Sequence, residues 1–389
     1  MKQIYLDNSA TTKVCNEALE EYVRVSKEFY GNPSSLHSLG FEAEKLIGAA
    51  RDEICNSLSA KGAAVIFTAS GTEANNLAIF GRAMAKERYK NGAKIITTMG
   101  EHASVDAPLD MLKSKGIKVV RIPTVGGEID LEALEKELTA DVILVSMMMV
   151  NNETGALYDT YEVSKLVKAK CRDALIHIDA TQSYLKIPFT KAKCGGDMIT
   201  ISSHKIEGPK GVGALVVDAS VMKSKGLAPI ILGGGQEGGM RSGTENVPGI
   251  SAFGVAVRLG FASLRQRYSD ILSLKNYLIE KIEGTGELSE ISITRPKASA
   301  PHIVNITLPK IKSETMLHYL SSLGIYVSSG SACSSNSSHT SSALTAFGRS
   351  AEEADTSIRI SISHRNTKED IDCLTDGLIS GLARLSRIR

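Results

Sequence analysis

The chain has almost no net charge: 45 Lys and Arg against 43 Asp and Glu leave +2 over 389 residues. That field is too weak to imply a nucleic-acid partner, so any ligand must be recognised locally. Nor is there a C-x-x-C pair. The six cysteines, at 15, 55, 171, 194, 333 and 373, are scattered, which argues against a zinc ribbon, a Cys-ligated iron-sulfur cluster or a disulfide framework. Most of them read as buried small hydrophobes. Long apolar runs are missing too: the longest, 142–150, contains Ser146 and is far too short to cross a bilayer. Residues 1–7 carry no apolar signal-peptide segment, so the expected location is cytoplasmic and no membrane partner is expected.

What is present fits a soluble enzyme. Hydrophobic residues make up 42% and charged residues 23%, ordinary values for a globule, and the length allows two domains with a large core. Strand-like and helix-like segments alternate from about residue 40 to 220, the pattern of a mostly parallel sheet with helices on both faces. Helices are expected at 41–58, with Ala43, Leu46, Ala50, Ile54 and Leu58 on one stripe, and at 131–138; strands are expected at 64–68, 94–97, 117–120, 142–145, 176–179 and 198–202. A long helix is expected from 249 to about 282. The remainder reads as α+β: strand 302–307, helix 313–322, strand 325–328, a serine-rich loop, strand 357–362 and a final helix 368–385. The expected division is a large domain over 15–260 and a smaller one formed by 1–14 and 261–389.

Lys205 is the most informative residue. It closes Asp197-Met198-Ile199-Thr200-Ile201-Ser202-Ser203-His204-Lys205, and the turn Gly208-Pro209-Lys210-Gly211 follows. The apolar run predicts burial, and a buried unpaired ammonium is costly unless its pKa falls or it forms an imine. Another strand-like run delivers Asp179 in His177-Ile178-Asp179-Ala180-Thr181-Gln182. Pyridoxal phosphate needs such a pair, an amine for its aldehyde and an acid to keep its ring nitrogen protonated. Taken singly, a lysine or an aspartate is far more often a solvated surface charge.

Other segments suit a phosphate-bearing cofactor. In Thr68-Ala69-Ser70-Gly71-Thr72-Glu73, Gly71 lets the backbone approach a ligand, Thr72 offers a hydroxyl, and the helix start supplies free N–H groups. The same residues also read as an ordinary helix cap. His102 could stack on an aromatic cofactor, or be a solvated loop histidine. Asn152 could donate to a carboxylate or ring oxygen, or belong to an Asx-turn. Two rival motifs fare worse. Gly233-Gly234-Gly235-Gln236-Glu237-Gly238 matches G-x-G-x-x-G, but 246–269 holds no acid for a ribose. His177, Asp179 and His204 imitate a 2-His-1-carboxylate iron site, which belongs with β-sandwich folds, whereas this chain alternates strand and helix. Cys333 stands apart from the other cysteines: nine of the fifteen residues over 328–342 are serine, so its thiol is expected on a mobile, accessible loop.

In order along the chain stand Tyr5-Leu6-Asp7-Asn8-Ser9-Ala10-Thr11-Thr12, Gly31-Asn32-Pro33-Ser34-Ser35, Glu101-His102, Asn151-Asn152-Glu153-Thr154-Gly155, Asp179-Ala180-Thr181-Gln182-Ser183, His204-Lys205, Gly208-Pro209-Lys210-Gly211, Arg241-Ser242-Gly243-Thr244-Glu245-Asn246, the 328–333 segment and Ser357-Ile358-Arg359. With these the chain resembles the NifS/IscS-type cysteine desulfurases, class V pyridoxal-phosphate enzymes of the aspartate-aminotransferase fold (fold type I), over nearly its whole length. The resemblance implies a large, mostly parallel-sheet domain and a smaller α+β domain.

It also implies a role for each matching residue. Lys205 would hold the cofactor aldehyde, Asp179 pair with the pyridinium nitrogen, His102 stack on the ring and Gln182 bond the ring oxygen. Thr72, Ser202 and His204 would bind the phosphate, with Thr244 reaching in from a second copy of a homodimer. Asn152 and Arg359 would grip the substrate carboxylate, Arg359 by a two-pronged contact. L-cysteine would be the substrate, Lys205 the base at Cα, His102 a carrier of later protons, and Cys333 the sulfur acceptor that passes a persulfide to an acceptor protein, either a scaffold for iron-sulfur cluster assembly or one serving tRNA or cofactor thiolation. Departures from the family pattern lie at Ser203, where a glycine is usual, at Glu207, where an aromatic residue is frequent, and after Cys333, where 336–340 lacks a Leu-Glu-Pro type sequence. The alternatives are another pyridoxal-phosphate reaction, such as selenocysteine lyase or aminotransferase, and a non-catalytic sulfur-relay scaffold.

Overall fold

The computed structural model describes residues 3–87, 92–329 and 341–385. Thirteen strands follow in chain order: β1 Ile4–Tyr5, β2 Ala64–Thr68, β3 Lys94–Thr98, β4 Lys118–Ile122, β5 Val142–Met148, β6 Leu175–Asp179, β7 Met198–Ser202, β8 Gly213–Val217, β9 Ser292–Ile293, β10 Ile303–Thr307, β11 Ile325–Tyr326, β12 Ser328–Ser329 and β13 Ser357–Ser361. Seven form one sheet in the order β2-β8-β7-β6-β5-β3-β4. Its pairs are parallel except where β8 joins β2 and β7. Every residue of β5, β7 and β8 is buried, which is why these strands are continuous apolar runs rather than alternating ones. Because β8 runs opposite to both neighbours, β2 points the same way as β7, and the loops after β2, β3, β5, β6 and β7 all leave one edge of the sheet. Ligands bind at that edge in open sheets of this kind.

A four-stranded antiparallel sheet, β12-β13-β10-β9, makes the second layer, and β1 pairs in parallel with β11. Two apolar cores flank the large sheet, one including Ile54, Phe67, Ile176 and Phe253, the other Leu77, Ile95, Leu109 and Leu215. A third core joins Ile4 and Leu6 to Leu278, Ile306, Ile358 and Leu374. Helix Val247–Gly284 runs past residue 260 without a break, giving Leu264 to the first core and Ile271 to the third. The N-terminal segment thus folds with C-terminal chain from its first strand.

Most expected elements are present with ends shifted by a few residues, and helices Ser313–Ser322 and Lys368–Leu385 fall where expected. Leu46 is only partly buried and Ile47 takes its place on the stripe of helix Ser38–Ser57. β8 is an addition to the expectation. The expected strand 325–328 is two short strands, one side pairing with β1 and the other with β13. The serine-rich stretch ends in helix: Ser341 caps Ser342–Phe347 by accepting from the Leu344 N–H, and Ser350 forms a capping box with Glu353 before Ala351–Asp355. Serine that looks like loop by composition is here a helix cap. Of the cysteines, Cys15, Cys171 and Cys194 are buried, but Cys373 is exposed.

Candidate active site

Five loops from one sheet edge and two strands of the second layer enclose a cavity of about 450 Å³. β6 ends at Asp179, and the carboxylate is fixed by two donors: the Thr181 N–H to Oδ1 (2.9 Å) and Asn75 Nδ2 to Oδ2 (2.8 Å). β7 ends at Ser202 and one tight turn brings Lys205 to the same cavity. Its Nζ donates to the carbonyls of Ser9 (2.7 Å) and Ala10 (2.8 Å). The 7–12 segment is therefore a strap over the lysine turn, reinforced where Thr12 Oγ1 donates to the His204 carbonyl and His204 Nδ1 meets Thr11 Oγ1.

Gly71, Thr72, Ser202 and His204 line the cavity, Gly71 packed against Ser202. Helix Gly71–Met84 begins there, capped by Ser70, which accepts from the Glu73 N–H. A Cβ on Gly71 would come within 3.2 Å of Ser202 Cβ and 3.3 Å of Thr181 Oγ1, so glycine keeps this part of the cavity open. Ser202 Oγ is buried without a protein partner. Burial pushes the His204 imidazole down to about 4, with the Lys205, Lys210 and Lys186 cations adding to the effect.

His102 caps helix Ala103–Ser114, its Nδ1 accepting from the Ser104 N–H. The ring proton is then on Nε2, and burial lowers the imidazole pKa further. Ser104 Oγ meets both His102 Nδ1 (2.9 Å) and Asn75 Nδ2 (2.8 Å), so a chain runs from His102 through Ser104 and Asn75 to Asp179. Asn75, 1% exposed, is the main site residue the sequence reasoning passed over. Its spacing from Thr72, one helical turn, was the available signal.

Arg359 enters the cavity from β13. Nη1 donates to the Asn152 carbonyl (3.0 Å), Nη2 to Asp7 Oδ1 (2.9 Å), and Nε is buried without a partner. Asn152 lines the cavity, but the arginine holds its backbone, not its side chain. Ser328 pairs with Arg359 across β12 and β13 and lines the same cavity. Cys333 lies outside the described residues. Thr244 does not line this cavity; it lines a separate, smaller one with Phe67 and Asn246.

The rival motifs dissolve. His177 is a satisfied core histidine between Ser146 Oγ and Thr200 Oγ1, and among the described residues there is no cluster of three metal-ligating side chains. The glycine-rich 233–238 segment opens no long helix. Instead Glu237 accepts from the Phe67 N–H and pairs with Arg51.

Residues 4–374 match the family model described as aminotransferase class-V. The cysteine desulfurase IscS 1 of Archaeoglobus fulgidus is 37% identical over 98% of this chain and 97% of its own. The cysteine desulfurase IscS of Dictyoglomus turgidum is 37% identical over 100% and 96%. Among solved structures, a NifS-like protein aligns over 100% of both chains with a TM-score of 0.89 and 34% identity. The NifS-like protein of Rickettsia africae aligns over 98% of this chain and 100% of its own, with a TM-score of 0.85 and 33% identity. With a lysine, a carboxylate and an arginine converging on one cavity at the sheet edge, the chain belongs to the class-V aminotransferase family, in its pyridoxal-phosphate-dependent cysteine desulfurase branch.

Proposed function

We propose that the protein removes sulfur from L-cysteine, releasing L-alanine, and carries the sulfur on Cys333 as a persulfide to an acceptor protein. The observation that carries this reading is the convergence of Lys205, Asp179 and Arg359 on the same cavity. A structure similar to this chain, with a TM-score of 0.79 and 30% identity over 94% of it, is titled SspA in complex with cysteine.

The residues present fit pyridoxal phosphate. The unpartnered Ser202 hydroxyl, the open Gly71 turn and the start of a 14-residue helix offer donors and a positive dipole end for a phosphate. Asp179, held by two donors, would accept from the ring N–H, Gln182 would meet the ring oxygen, and His102 would cover the ring. Lys205 is the amine for the aldehyde. Once bound, the cofactor supplies an electron sink that acidifies the Cα–H of an attached amino acid.

The chain's own groups do the rest. Arg359 and Asn152 orient the substrate carboxylate, and the Asp7 carboxylate keeps the guanidinium in plane. Lys205, as a free amine, would take the Cα proton. The Cys333 thiolate attacks the substrate sulfur: an S–S bond forms, the Cβ–S bond breaks, and its electron pair leaves with carbon. The ammonium so formed on Lys205 would return its proton to complete alanine, with His102 a candidate to relay the later proton. In sum, one thiol and one cysteine give one persulfide and one alanine, so no external oxidant or reductant enters. Activation of the thiolate by a neighbouring positive group would add roughly tenfold or more.

A homodimer with Thr244 contributed by the second copy completes the reading. In its support, Tyr30, Leu36 and Phe41, close in sequence around the start of helix Ser38–Ser57, each expose an apolar side chain, Leu36 fully. Mass analysis after incubation with L-cysteine tests the function: alanine in solution and an adduct of roughly 32 Da on Cys333 are expected. Undiminished sulfide release by Cys333→Ala would turn the reading toward a pyridoxal-phosphate lyase.

A further inference from the structure

Gln182 is held at both ends. Its Nε2 donates to the Ser9 carbonyl (2.8 Å), which also accepts from Lys205, and its Oε1 accepts from Lys186 Nζ (3.0 Å). A carbonyl can only accept, so the Ser9 contact fixes the nitrogen end, and the lysine occupies the oxygen end. One N–H of the amide is left to face the cavity. Lys186 is not on the wall of that cavity. It lines a smaller one, about 50 Å³, behind Lys205, together with His302, Glu207 and Arg267. Leu185 carries φ 53°, a left-handed conformation that is costly for a branched side chain and turns Lys186 back beneath Gln182.

We propose that Lys186 is a positioning residue for the cofactor: it fixes the Gln182 amide so that an N–H, not a carbonyl oxygen, meets the ring oxygen. The inference rests on the cofactor reading above and adds a residue to which no role has been given. A donor aimed at that oxygen favours its deprotonated form, and an amide freed at Oε1 can turn away or present its oxygen to an oxygen.

The charged and titratable groups around Lys186 are few. Lys205 and His204 stand on the turn above, Arg359 on β13, His302 just before β10, and Glu207, Arg267 and His364 across the small cavity. Both ring nitrogens of His302 lack partners and the side chain is 1% exposed. Burial, with the Lys205 and Arg359 cations adding, holds the Lys186 ammonium well below the ordinary lysine value. The contact to Gln182 survives loss of that charge, because a neutral amine still donates.

The test is a pH titration of the visible absorption band of the cofactor-loaded protein. For Lys186→Met the midpoint of the band is expected to rise by about one unit, tenfold in proton affinity. Lys186→Arg, which keeps donors for Oε1, is expected to return it to the parent value. An unchanged midpoint in Lys186→Met overturns the inference while leaving the cofactor reading intact; a parent protein that shows no band with added pyridoxal phosphate overturns the cofactor reading itself. Should methionine prevent folding, Lys186→Gln, too short to reach Oε1, is compared with Lys186→Arg, and equal midpoints in that pair overturn it.

Discussion

Glu101 shows how one buried carboxyl can serve another. It is 3% exposed, and its Oε1 accepts from Thr98 Oγ1 and from the Met148 N–H (3.1 Å). Burial pushes its pKa up to about 8, and the nearby Asp179 carboxylate adds to the rise. At neutral pH Glu101 is therefore mostly protonated, and it adds no second anion beside the Asp179 carboxylate. The linkage sign follows from the folded pKa lying above the unfolded value of about 4.3. Between the two the native state binds the extra proton, so this group's contribution to stability is full below about pH 4 and declines as pH rises towards 8. Glu101→Gln keeps the acceptor and cannot ionise. Its stability relative to the parent is expected to increase from pH 5 to pH 8, by at most about 1.4 kcal/mol per pH unit. Denaturant midpoints of the two proteins at several pH values measure it, and a gap independent of pH would mean that Glu101 is already ionised.

Among the elements, the start of helix Gly71–Met84 does most for the site. Ser70 caps it, and Glu73 ties the turn further by accepting from the Ala69 N–H (3.1 Å) and from Arg241 Nε (2.8 Å). Ser70→Ala is expected to cost about 1 kcal/mol of stability and to speed cofactor loss on dialysis, because the turn that holds the helix start against Ser202 loosens. Retention equal to that of the parent would show that the proposed phosphate site does not depend on this turn. The order of elements here was legible in the sequence: apolar runs such as 142–148 and 198–202 mark strands buried on both faces, and Asp179 and Lys205 stand just where such runs end. The strand β8 was harder to see, since Gly213-Ala214-Leu215-Val216-Val217 follows a glycine-rich turn and reverses direction inside a parallel pattern. The network was not legible at all. That Asn75 clamps Asp179 and that the Ser9 and Ala10 carbonyls cradle Lys205 depends on residues 104 and about 195 positions apart, and periodicity carries no such pairing.

At the scale of the whole molecule, one side chain joins the cores. Glu207 sits two residues after Lys205 with φ 67°, is 7% exposed, and receives Arg267 Nη1 (3.2 Å) from helix Val247–Gly284 and Arg365 Nε (2.7 Å) from the chain after β13. Its own N–H donates to Thr12 Oγ1 (2.7 Å), adding the N-terminal strap. The lysine turn, the long helix and the C-terminal layer thus meet on one carboxylate, at the position where the resembled family often carries an aromatic ring. An aromatic side chain would fill that space by packing; a carboxylate fills it by pairing, and pairing fails all at once when the anion is removed. Glu207→Ala leaves the Arg267 and Arg365 guanidinium groups without their shared carboxylate, and because the Arg365 side chain is 40% exposed water screens part of the loss, for a cost of about 1–2 kcal/mol. Guanidinium unfolding followed by far-UV circular dichroism is expected to show that loss, with Glu207→Gln in between because it keeps the hydrogen bonds without the charge. If Glu207→Ala unfolds within about 0.5 kcal/mol of the parent, the range of ordinary surface substitutions, the two arginines are solvated and the cores are held together by apolar contact along helix Val247–Gly284 alone.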